Sequence, residues 1–232
     1  MRVAAEGHEN TQAIDETDVS SVPEKFPECK TDERMNPTLI VIPTLDPEQG
    51  ADTGHRAQLS AGCDTRLVVI HDYFKKGFTK TVNRGLVQRW HDEDICILND
   101  DIQMFNYGWL LALQNALHAR DTLGIVGPSG NCASSTRAGR LGDTGLVIEI
   151  NTLPFWCVLI RCETIDQVGY LDEAFIHYSS DTWWCLQAKR AGWERAWLRP
   201  LYLWHEHEGS GHQSEWRRHD SEIFKRRLME LI

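Results

Sequence analysis

Apolar runs recur along the first half of the chain, and each is stopped by polar or turn-forming residues. The runs are 38–44 (TLIVIPT), 65–72 (TRLVVIHD), 95–98 (ICIL) and 122–130 (TLGIVGPSG). A run without alternation of polar and apolar positions is typical of a strand that is covered on both faces. The pattern therefore predicts a sheet that lies between layers of helices.

Amphipathic segments lie between these runs and predict helices over 51–62, 79–90 and 107–120. The second and third helices each have one apolar face, formed by Val82, Leu86 and Trp90 and by Leu110, Leu113 and Leu117. This alternation of strands and helices is the signature of a mainly parallel sheet with helices on both sides.

The second half of the chain has a different order of elements. Two strand-like runs are separated by Pro154, and a helix is predicted over 181–192 (DTWWCLQAKRAG). A strand, Pro200 and a polar loop with two histidines follow. We expect this half to extend the sheet, so the predicted fold class is α/β with a mixed, mainly parallel sheet flanked by helices.

The length of 232 residues suits a single domain with a full hydrophobic core. Residues 1–36 are rich in acidic residues and poor in large apolar ones, which predicts a flexible acidic tail. We expect one domain over 37–232, which ends in a helix at 213–232. This last helix has basic residues beside its apolar side, so weak contact with a membrane surface is an alternative to packing.

Composition and charge exclude some classes of protein. The formal net charge of −10 argues against nucleic-acid binding, because phosphates are bound by basic surfaces. The seven cysteines are scattered without a CxxC pair, which is typical of reduced, mostly buried thiols. There is no signal-peptide pattern, and no stretch reaches the roughly 18 apolar residues of a membrane span. We therefore expect a soluble, cytoplasmic protein.

Two adjacent carboxylates, Asp100 and Asp101, follow the apolar run at 95–98 after Asn99. The carboxyl end of a buried strand is where α/β sheets bind ligands. Like charges side by side repel, and solvent or a bound cation relieves the repulsion. The sequence thus predicts a candidate metal site, with simple turn chemistry as the alternative.

Several segments, in this order, resemble the motifs of family 2 glycosyltransferases with the GT-A fold, and most closely the rhamnosyltransferase-like members. The segments are GFTKTVNRGLVQRWHDEDICILNDDIQM (77–104), GIVGPSG (124–130), PFWCVLIRCETIDQVGYLDEAFIHYSSDTWWCLQAKRAGW (154–193) and RPLYLWHEH (199–207). Such enzymes transfer a sugar from a nucleotide diphosphate donor to an acceptor hydroxyl with inversion, using a divalent cation. The resemblance implies a nucleotide-binding half at 37–130 and an acceptor and catalytic half at 131–212.

The resemblance assigns roles to the acidic motif. LNDD matches the family's DxD-type motif, with Asn99 in the place of the first Asp and Asp101 in that of the last. Asp101 is then a metal ligand, while Asn99 and Asp100 contribute to donor binding. Mg²⁺ or Mn²⁺ takes oxygen ligands and bridges the two donor phosphates.

A histidine near the end of the last strand completes the metal site in the family. His205 is the matching residue here, although its spacing from Pro200 is slightly short and His207 is the alternative. Imidazole suits Mn²⁺ better than Mg²⁺. Without the resemblance, HEHEGSGH is a polar surface loop.

The stretch SSDTWW aligns with the family's Glu-Asp-x-Asp segment, which makes Asp181 the catalytic base. The base accepts the proton of the acceptor hydroxyl during attack on the anomeric carbon. Ser180 and Trp183 stand where the family has acidic residues, so one carboxylate remains. The alternative role of Asp181 is a helix N-cap.

The donor nucleotide has further matches in the first half. Pro43 and Thr44 end the first strand, where the family holds the base and ribose, and Asp72 corresponds to the acidic residue that contacts the base. Asn83 matches the Asn of the helix that lines the donor pocket, and Gly85 allows close backbone approach.

Tryptophans are concentrated in the acceptor half, and flat aromatic faces pack well against sugar rings. Trp156 and Trp183 are predicted to be exposed and to contact the acceptor. The predicted function is an inverting glycosyltransferase for a hexosyl or deoxyhexosyl group, acting on a glycan, lipid-linked sugar or other hydroxyl. The alternatives are a catalytically silent nucleotide-sugar-binding scaffold and a metal-dependent nucleotidyltransferase.

Overall fold

The computed structural model of the protein describes residues 36–103, 106–130, 140–141, 146–148, 150–206 and 214–231. All of them belong to one compact unit, Thr31–Ile232. The predicted tail at 1–36 lies outside the described residues except for Asn36. The domain boundaries stay a prediction.

The strands are β1 (Thr38–Thr44), β2 (Thr65–His71), β3 (Asp94–Leu98), β4 (Ile102–Gln103), β5 (Leu123–Gly130), β6 (Arg140–Leu141), β7 (Leu146–Ile148), β8 (Cys157–Ile160) and β9 (Glu194–His205). The helices are α1 (Pro47–Ser60), α2 (Phe78–Leu86), α3 (Trp109–His118), α4 (Cys162–Val168), α5 (Ser180–Arg190) and α6 (Ser214–Met229). Every strand and helix predicted from the apolar pattern is present, with small differences at the ends.

The strands form one mixed sheet, in the order β2-β1-β3-β8-β5-β9-β7-β6, and β4 pairs with β9 beside this path. The pairs of β1 with β2 and with β3 are parallel, as is the pair of β5 with β9. Strand β8 lies antiparallel between β3 and β5. The predicted mixed α/β sheet is confirmed; parallel pairing dominates its first half, and antiparallel pairs are frequent in the second.

The apolar run of β3 is explained by a core on each face of the sheet. Cys96 and Leu98 belong to the core that contains α1 and α3, whereas Ile95 and Ile97 belong to the core that contains α2 and α5. All four side chains are fully buried. Because both faces are covered, positions 95–98 of the strand are all apolar.

Helix α1 begins earlier than predicted, because Asp46 is its N-cap and accepts the backbone N–H groups of Glu48 and Gln49. Helix α2 ends at Leu86, so the prediction that it extends to Trp90 is wrong. Trp90 is 58% exposed and lies under the guanidinium of Arg66. The apolar spacing of Val82, Leu86 and Trp90 therefore predicted one more helical turn than α2 contains.

Strand β9 continues through Pro200 to His205, so Pro200 does not end the strand as predicted. A register irregularity against β5 falls at Pro128/Ser129, close to this proline. Proline is tolerated at such irregularities because a ladder hydrogen bond is already missing there.

The described cysteines are free, and all but the half-buried Cys63 are buried. Burial raises the pKa of the Cys63 and Cys185 thiols to about 12. The prediction of mostly buried cysteines is confirmed for the described ones, and their reduced state stays a prediction; Cys29 and Cys132 lie outside the described residues. Within the described part of the chain, none of the helices has the length and apolar character needed to cross a membrane.

Candidate functional site

The carboxyl ends of β1 and β3 lie at one edge of the sheet, because the two strands are parallel neighbours. The segment before β8 reaches the same edge, where the Asn99 N–H donates to the Trp156 carbonyl (2.8 Å). Strand β9 also ends here, since β4 pairs Ile102 with His205. Residues from distant parts of the sequence therefore meet at the edge where parallel sheets bind ligands.

Asp101 and His205 form the centre of this edge. His205 Nε2 lies 2.8 Å from Asp101 Oδ1, and the two side chains are 11% and 10% exposed. The backbone N–H of Glu206 donates to the Asp101 carbonyl (3.1 Å), which holds the ends of β4 and β9 together. The alternative that His205 belongs to a polar surface loop is wrong. His207 lies outside the described residues.

The imidazole of His205 is fixed from two sides. The Trp156 ring is stacked on it, with centroids 5.6 Å apart and an interplanar angle of 12°. Asn99 Nδ2 lies 3.2 Å from His205 Nε2. Asn99 and Asp101 therefore meet the imidazole at the same ring nitrogen, Nε2.

Asp101 Oδ1 is buried, and no described residue other than His205, whose Nε2 lies 2.8 Å away, is placed to donate to it. A buried carboxylate oxygen without a donor is costly. Two neighbouring ligands of an octahedral Mg²⁺ or Mn²⁺ are separated by roughly 3 Å, because metal–ligand distances are about 2.1 Å. The observed 2.8 Å fits such a pair. Asp101 and His205 therefore have the chemistry and spacing of two metal ligands.

Asp100 faces the end of β1 on the other side of the motif. The Thr44 hydroxyl donates to Asp100 Oδ2 (2.5 Å), and the Thr53 hydroxyl donates to the Asp100 carbonyl (2.5 Å). Burial raises the pKa of the Asp100 carboxyl, the Thr44 hydrogen bond opposes this, and the charges of Asp101 and Asp46 raise it further. The carboxylates of Asp101 and Asp46 are therefore close enough to Asp100 to add negative charge at this position.

A cleft of about 280 Å³ opens beside these residues. It is lined by Gln49, Arg56, Asp100, Asp101, Ile102, Gln103 and Glu206. Its one basic lining residue, Arg56, is paired with Asp52 (2.9 Å). The cleft is therefore predominantly acidic, and a diphosphate would need a cation to bind in it.

Asp181 lies in the first turn of α5, where Ser179 is the N-cap. Its carboxylate accepts the Thr182 N–H (2.6 Å) and the backbone N–H of Phe155, which precedes Trp156. Asp181 is thereby attached to the segment that carries the ring stacked on His205. Burial raises the pKa of Asp181, and these hydrogen bonds only partly offset the effect.

Asp172 and Glu173 are the nearest other carboxylates in sequence, and both are engaged elsewhere. Asp172 is paired with Arg227 (2.9 Å), and Glu173 accepts a hydrogen bond from Asn83 (3.1 Å). Asp181 differs from both in its hydrogen bond to Phe155, next to Trp156.

The predicted nucleotide residues divide into two groups. Thr44 contacts Asp100 at the site, and Pro43 is buried next to it in β1. Asp72 instead accepts the N–H groups of Lys76 and Gly77 (2.8 Å each), so its two oxygens hold a loop. Its predicted contact with the base stays a prediction.

Asn83 has a structural pairing across the molecule. Its amide donates to the Leu171 carbonyl (2.9 Å) and accepts the Leu171 N–H (3.0 Å). These two hydrogen bonds attach α2 to the segment that follows α4. The predicted role of Asn83 in lining the donor pocket stays untested.

The predicted exposure of Trp156 and Trp183 is wrong. Trp156 is 4% exposed because it is stacked on His205, and Trp183 is 9% exposed because it packs edge-on against Phe224 of α6. Neither ring offers an open face to a sugar.

A second group of potential ligand atoms lies at the opposite edge of the sheet. Asp94, Cys162 and Glu163 are the one group of three found in the described residues whose ligand atoms lie within 4.8 Å of one another. Asp94 already accepts the Cys162 N–H (2.9 Å) and contacts His118 (2.6 Å), so it connects β3 to α4 and α3. Its hydrogen bonds explain this cluster without a ligand.

Sequence reasoning missed the side walls of the cleft. Gln49, Arg56 and Glu206 have no motif around them, and only the pairing of β4 with β9 and the packing of α1 bring them to Asp101. Glu206 adjoins the histidine that the family resemblance singled out, which was the one available signal.

No family model and no curated protein matches the chain. Solved structures share its fold, which is the GT-A fold. GalNAc-T7 with UDP, GalNAc and Mn²⁺ matches with a TM-score of 0.57 at 10% identity, over 75% of this chain and 44% of that one. Glucosyl-3-phosphoglycerate synthase from Mycobacterium tuberculosis with Mg²⁺ and UDP matches with a TM-score of 0.52 at 11% identity, over 80% of this chain and 77% of that one. The chain thus spans less than half the length of the first and most of the second.

Proposed function

We propose that the protein is an inverting, metal-dependent glycosyltransferase of the family 2, rhamnosyltransferase-like type. It transfers a hexosyl or deoxyhexosyl group from a nucleoside diphosphate to an acceptor hydroxyl. The observation that carries the proposal is the pair formed by Asp101 and His205, 2.8 Å apart and buried at the carboxyl edge of a GT-A sheet. The solved neighbours with UDP and Mn²⁺ or Mg²⁺ support a uridine diphosphate donor and either ion.

Asp101 and His205 hold the divalent cation in this proposal, and Asn99 and Trp156 keep the imidazole in place. When bound, the cation supplies the positive charge that the leaving diphosphate needs. Thr44 and Asp100 border the donor at the end of β1. In the proposal, these two residues set the position of the nucleotide part of the donor.

Asp181 is the base of the transfer. The acceptor oxygen forms a bond to the anomeric carbon while the bond from that carbon to the β-phosphate oxygen breaks, and the proton passes to the Asp181 carboxylate. The nucleoside diphosphate leaves with the bonding electrons. A carboxylate whose pKa is raised by burial is a stronger proton acceptor than an exposed one, provided that it is ionised.

The test measures free nucleoside diphosphate released from a panel of nucleotide sugars, with Mn²⁺ and with chelator. We expect Mn²⁺-dependent release by the wild type, and loss of both release and Mn²⁺ dependence in Asp101→Asn. Asp121→Asn is the matched control, because it makes the same charge change at an exposed position between α3 and β5. Release that is insensitive to chelator would refute the metal role.

The products also separate the alternatives. A silent scaffold would bind the donor without releasing nucleoside diphosphate, whereas a nucleotidyltransferase would release pyrophosphate. The scaffold alternative depends on Asp181. Ser180 and Trp183 stand where the family has acidic residues, so Asp181 is the one carboxylate of that motif that could act as the base.

A further inference from the structure

The loop between β2 and α2 exposes two neighbouring aromatic side chains. Tyr73 and Phe74 are each 74% exposed, and their rings contact each other edge-on at a centroid distance of 5.1 Å. Aromatic rings left this exposed lack most of the free energy that burial would give them. The pair is not part of the cores on either face of the sheet.

The loop is held in this shape by its own backbone. The Asp72 carboxylate accepts the N–H groups of Lys76 and Gly77, and the Asp72 carbonyl accepts the N–H of Lys75 (3.0 Å). Lys75 has a φ of 49°, which is unfavourable for a residue other than glycine. The three hydrogen bonds hold the loop in this conformation, with its aromatic tip exposed.

Four exposed basic residues follow the aromatic pair in the loop and in α2. Lys75 and Lys76 follow it in the loop, and Lys80 and Arg84 are four residues apart on the exposed side of α2. None of the three lysines has an ion pair with another described residue. The chain as a whole has a net charge of −10, so the charge of this local patch is opposite in sign to the net charge.

We propose that this aromatic-basic loop, residues 73–76 together with Lys80 and Arg84, docks the protein on an anionic lipid bilayer. Aromatic rings partition to the interface between headgroups and acyl chains, and lysines beside them are attracted to anionic headgroups. The combination of the two favours a bilayer over a folded acidic protein surface, which offers no apolar layer for the rings.

The position of the loop gives this docking a consequence for the cleft. The Asp72 N–H donates to the Thr44 carbonyl (2.8 Å), and the Thr44 hydroxyl contacts Asp100. The loop and the acidic cleft therefore lie at the same edge of the sheet. A bilayer bound to the loop would lie beside the cleft entrance.

Co-sedimentation with vesicles tests the proposal, using phosphatidylcholine alone and phosphatidylcholine mixed with phosphatidylserine. The wild type should bind the anionic vesicles and not the neutral ones. Lys75→Glu/Lys76→Glu should lower partitioning by more than roughly 30-fold, because the attraction of two lysines is lost and two carboxylates are repelled by the anionic surface. Tyr73→Ser/Phe74→Ser should lower it about tenfold, because the interfacial contact of the rings is lost.

The matched charge control is Lys189→Glu/Arg190→Glu, which makes the same charge change in the exposed last turn of α5. The matched aromatic control is Tyr107→Ser, since Tyr107 is 77% exposed. Both controls should bind like the wild type, and thermal melts should show that all variants are folded.

The proposal is overturned if the wild type does not bind anionic vesicles, or if the controls lose as much binding as the loop variants. It is equally overturned if the loop variants lose affinity for a single-stranded oligonucleotide and keep their affinity for vesicles. Vesicle binding requires no donor, metal or turnover. Asp101→Asn should therefore retain it, which separates this proposal from that of glycosyl transfer.

Discussion

At the scale of single residues, the buried carboxylates of the described structure are of two kinds. Some hold the chain in place by accepting backbone N–H groups, and one has an oxygen that accepts none. Both oxygens of Asp72 accept backbone N–H groups, and Asp220 accepts those of Ile176, His177 and Tyr178. Asp101 Oδ1 accepts no backbone N–H group of the described residues, and its near neighbour is His205 Nε2 at 2.8 Å. An unmatched buried acceptor is the feature expected of a ligand position, because its cost is removed only when the ligand binds.

Asp181→Asn tests the proposed base. The amide keeps an oxygen for the Thr182 N–H and nearly the same volume, but it cannot accept the proton. Donor affinity should therefore be retained while kcat falls by roughly two to four orders of magnitude. Because burial raises the pKa of Asp181, the wild-type rate should fall as pH drops through that raised value, and the variant should lack this acid limb.

The contribution of Asp181 to stability should change with pH in the direction opposite to the rate. A carboxyl with a raised folded-state pKa binds more protons in the folded state between the unfolded and folded pKa values, so stability falls as pH rises through that window. At neutral pH the ionised Asp181 is thus a cost, and the Asn variant should melt no lower than the wild type. A variant that is fully active would remove Asp181 from the mechanism.

At the scale of elements, α2 is held against β1 by a close approach of backbone to side chain. A Cβ added at Gly85 would clash with the Val41 side chain of β1. Asn83 lies on the same helix and attaches it to Leu171 through two hydrogen bonds. Helix α2 is therefore fixed between the sheet and the segment after α4.

Gly85→Ala should lower the free energy of unfolding by roughly 1–3 kcal/mol through overpacking. In an exposed helix the same change would stabilise by about 1 kcal/mol. Thermal or chemical denaturation measures the difference. In the double variant with Val41→Ala the two losses should not add, because the second change makes room for the new methyl group; full additivity would show that the clash is relieved in another way.

The segment before α5 is organised by α6. Asp220 of α6 accepts three consecutive N–H groups at 2.7–2.8 Å from Ile176, His177 and Tyr178, just before the left-handed Ser179. Burial alone would raise the pKa of Asp220, but these N–H groups and His219 lower it below its ordinary value. The carboxylate is thus ionised and strongly held, and it sets the position of the turn that leads to Asp181.

Asp220→Asn should cost about 1–3 kcal/mol of stability, because an amide cannot accept all three hydrogen bonds. Since the folded pKa is lowered, the wild type should lose this contribution as pH falls through that value, and the difference between the two proteins should shrink in acid. Melts over a range of pH check this. A difference that is constant with pH would mean that the Asp220 charge has no part in it.

At the scale of the whole molecule, the candidate site joins the two halves of the sheet. Asp101 follows β3, whereas His205 ends β9, and β8 and β5 lie between β3 and β9 in the sheet. A ligand held by both residues binds only when the whole sheet has formed. Ligand binding should therefore stabilise the fold as one unit.

Mn²⁺ with UDP at about a hundred times its dissociation constant should raise stability by about 2.7 kcal/mol, or Tm by roughly 5–10 °C for a chain of this size. His205→Ala should lose most of this shift, and Asp121→Asn should keep it. Differential scanning calorimetry measures both. An equal shift from UDP in the presence of chelator would contradict a bridging cation.

Much of the fold followed from local pattern. The apolar runs determined β1, β2, β3 and β5, and the spacing of Leu110, Leu113 and Leu117 determined the buried face of α3. The position of the acidic motif at the end of β3 followed as well. The spacing of apolar residues in a segment shows which of its faces are buried. This information lies within the segment itself, so it can be read from the sequence without knowing the segment's partners.

Tertiary structure alone decided how those segments combine into a site. The insertion of β8 between β3 and β5, the extension of β9 to His205 and the stacking of Trp156 on that ring depend on which strands pair. Asp72 likewise had the sequence context of a ligand residue, and the loop that follows it used both of its oxygens. Partners that lie far apart in sequence leave no periodic signal, because their contact arises from strand order and chain reversal rather than from the residues on either side.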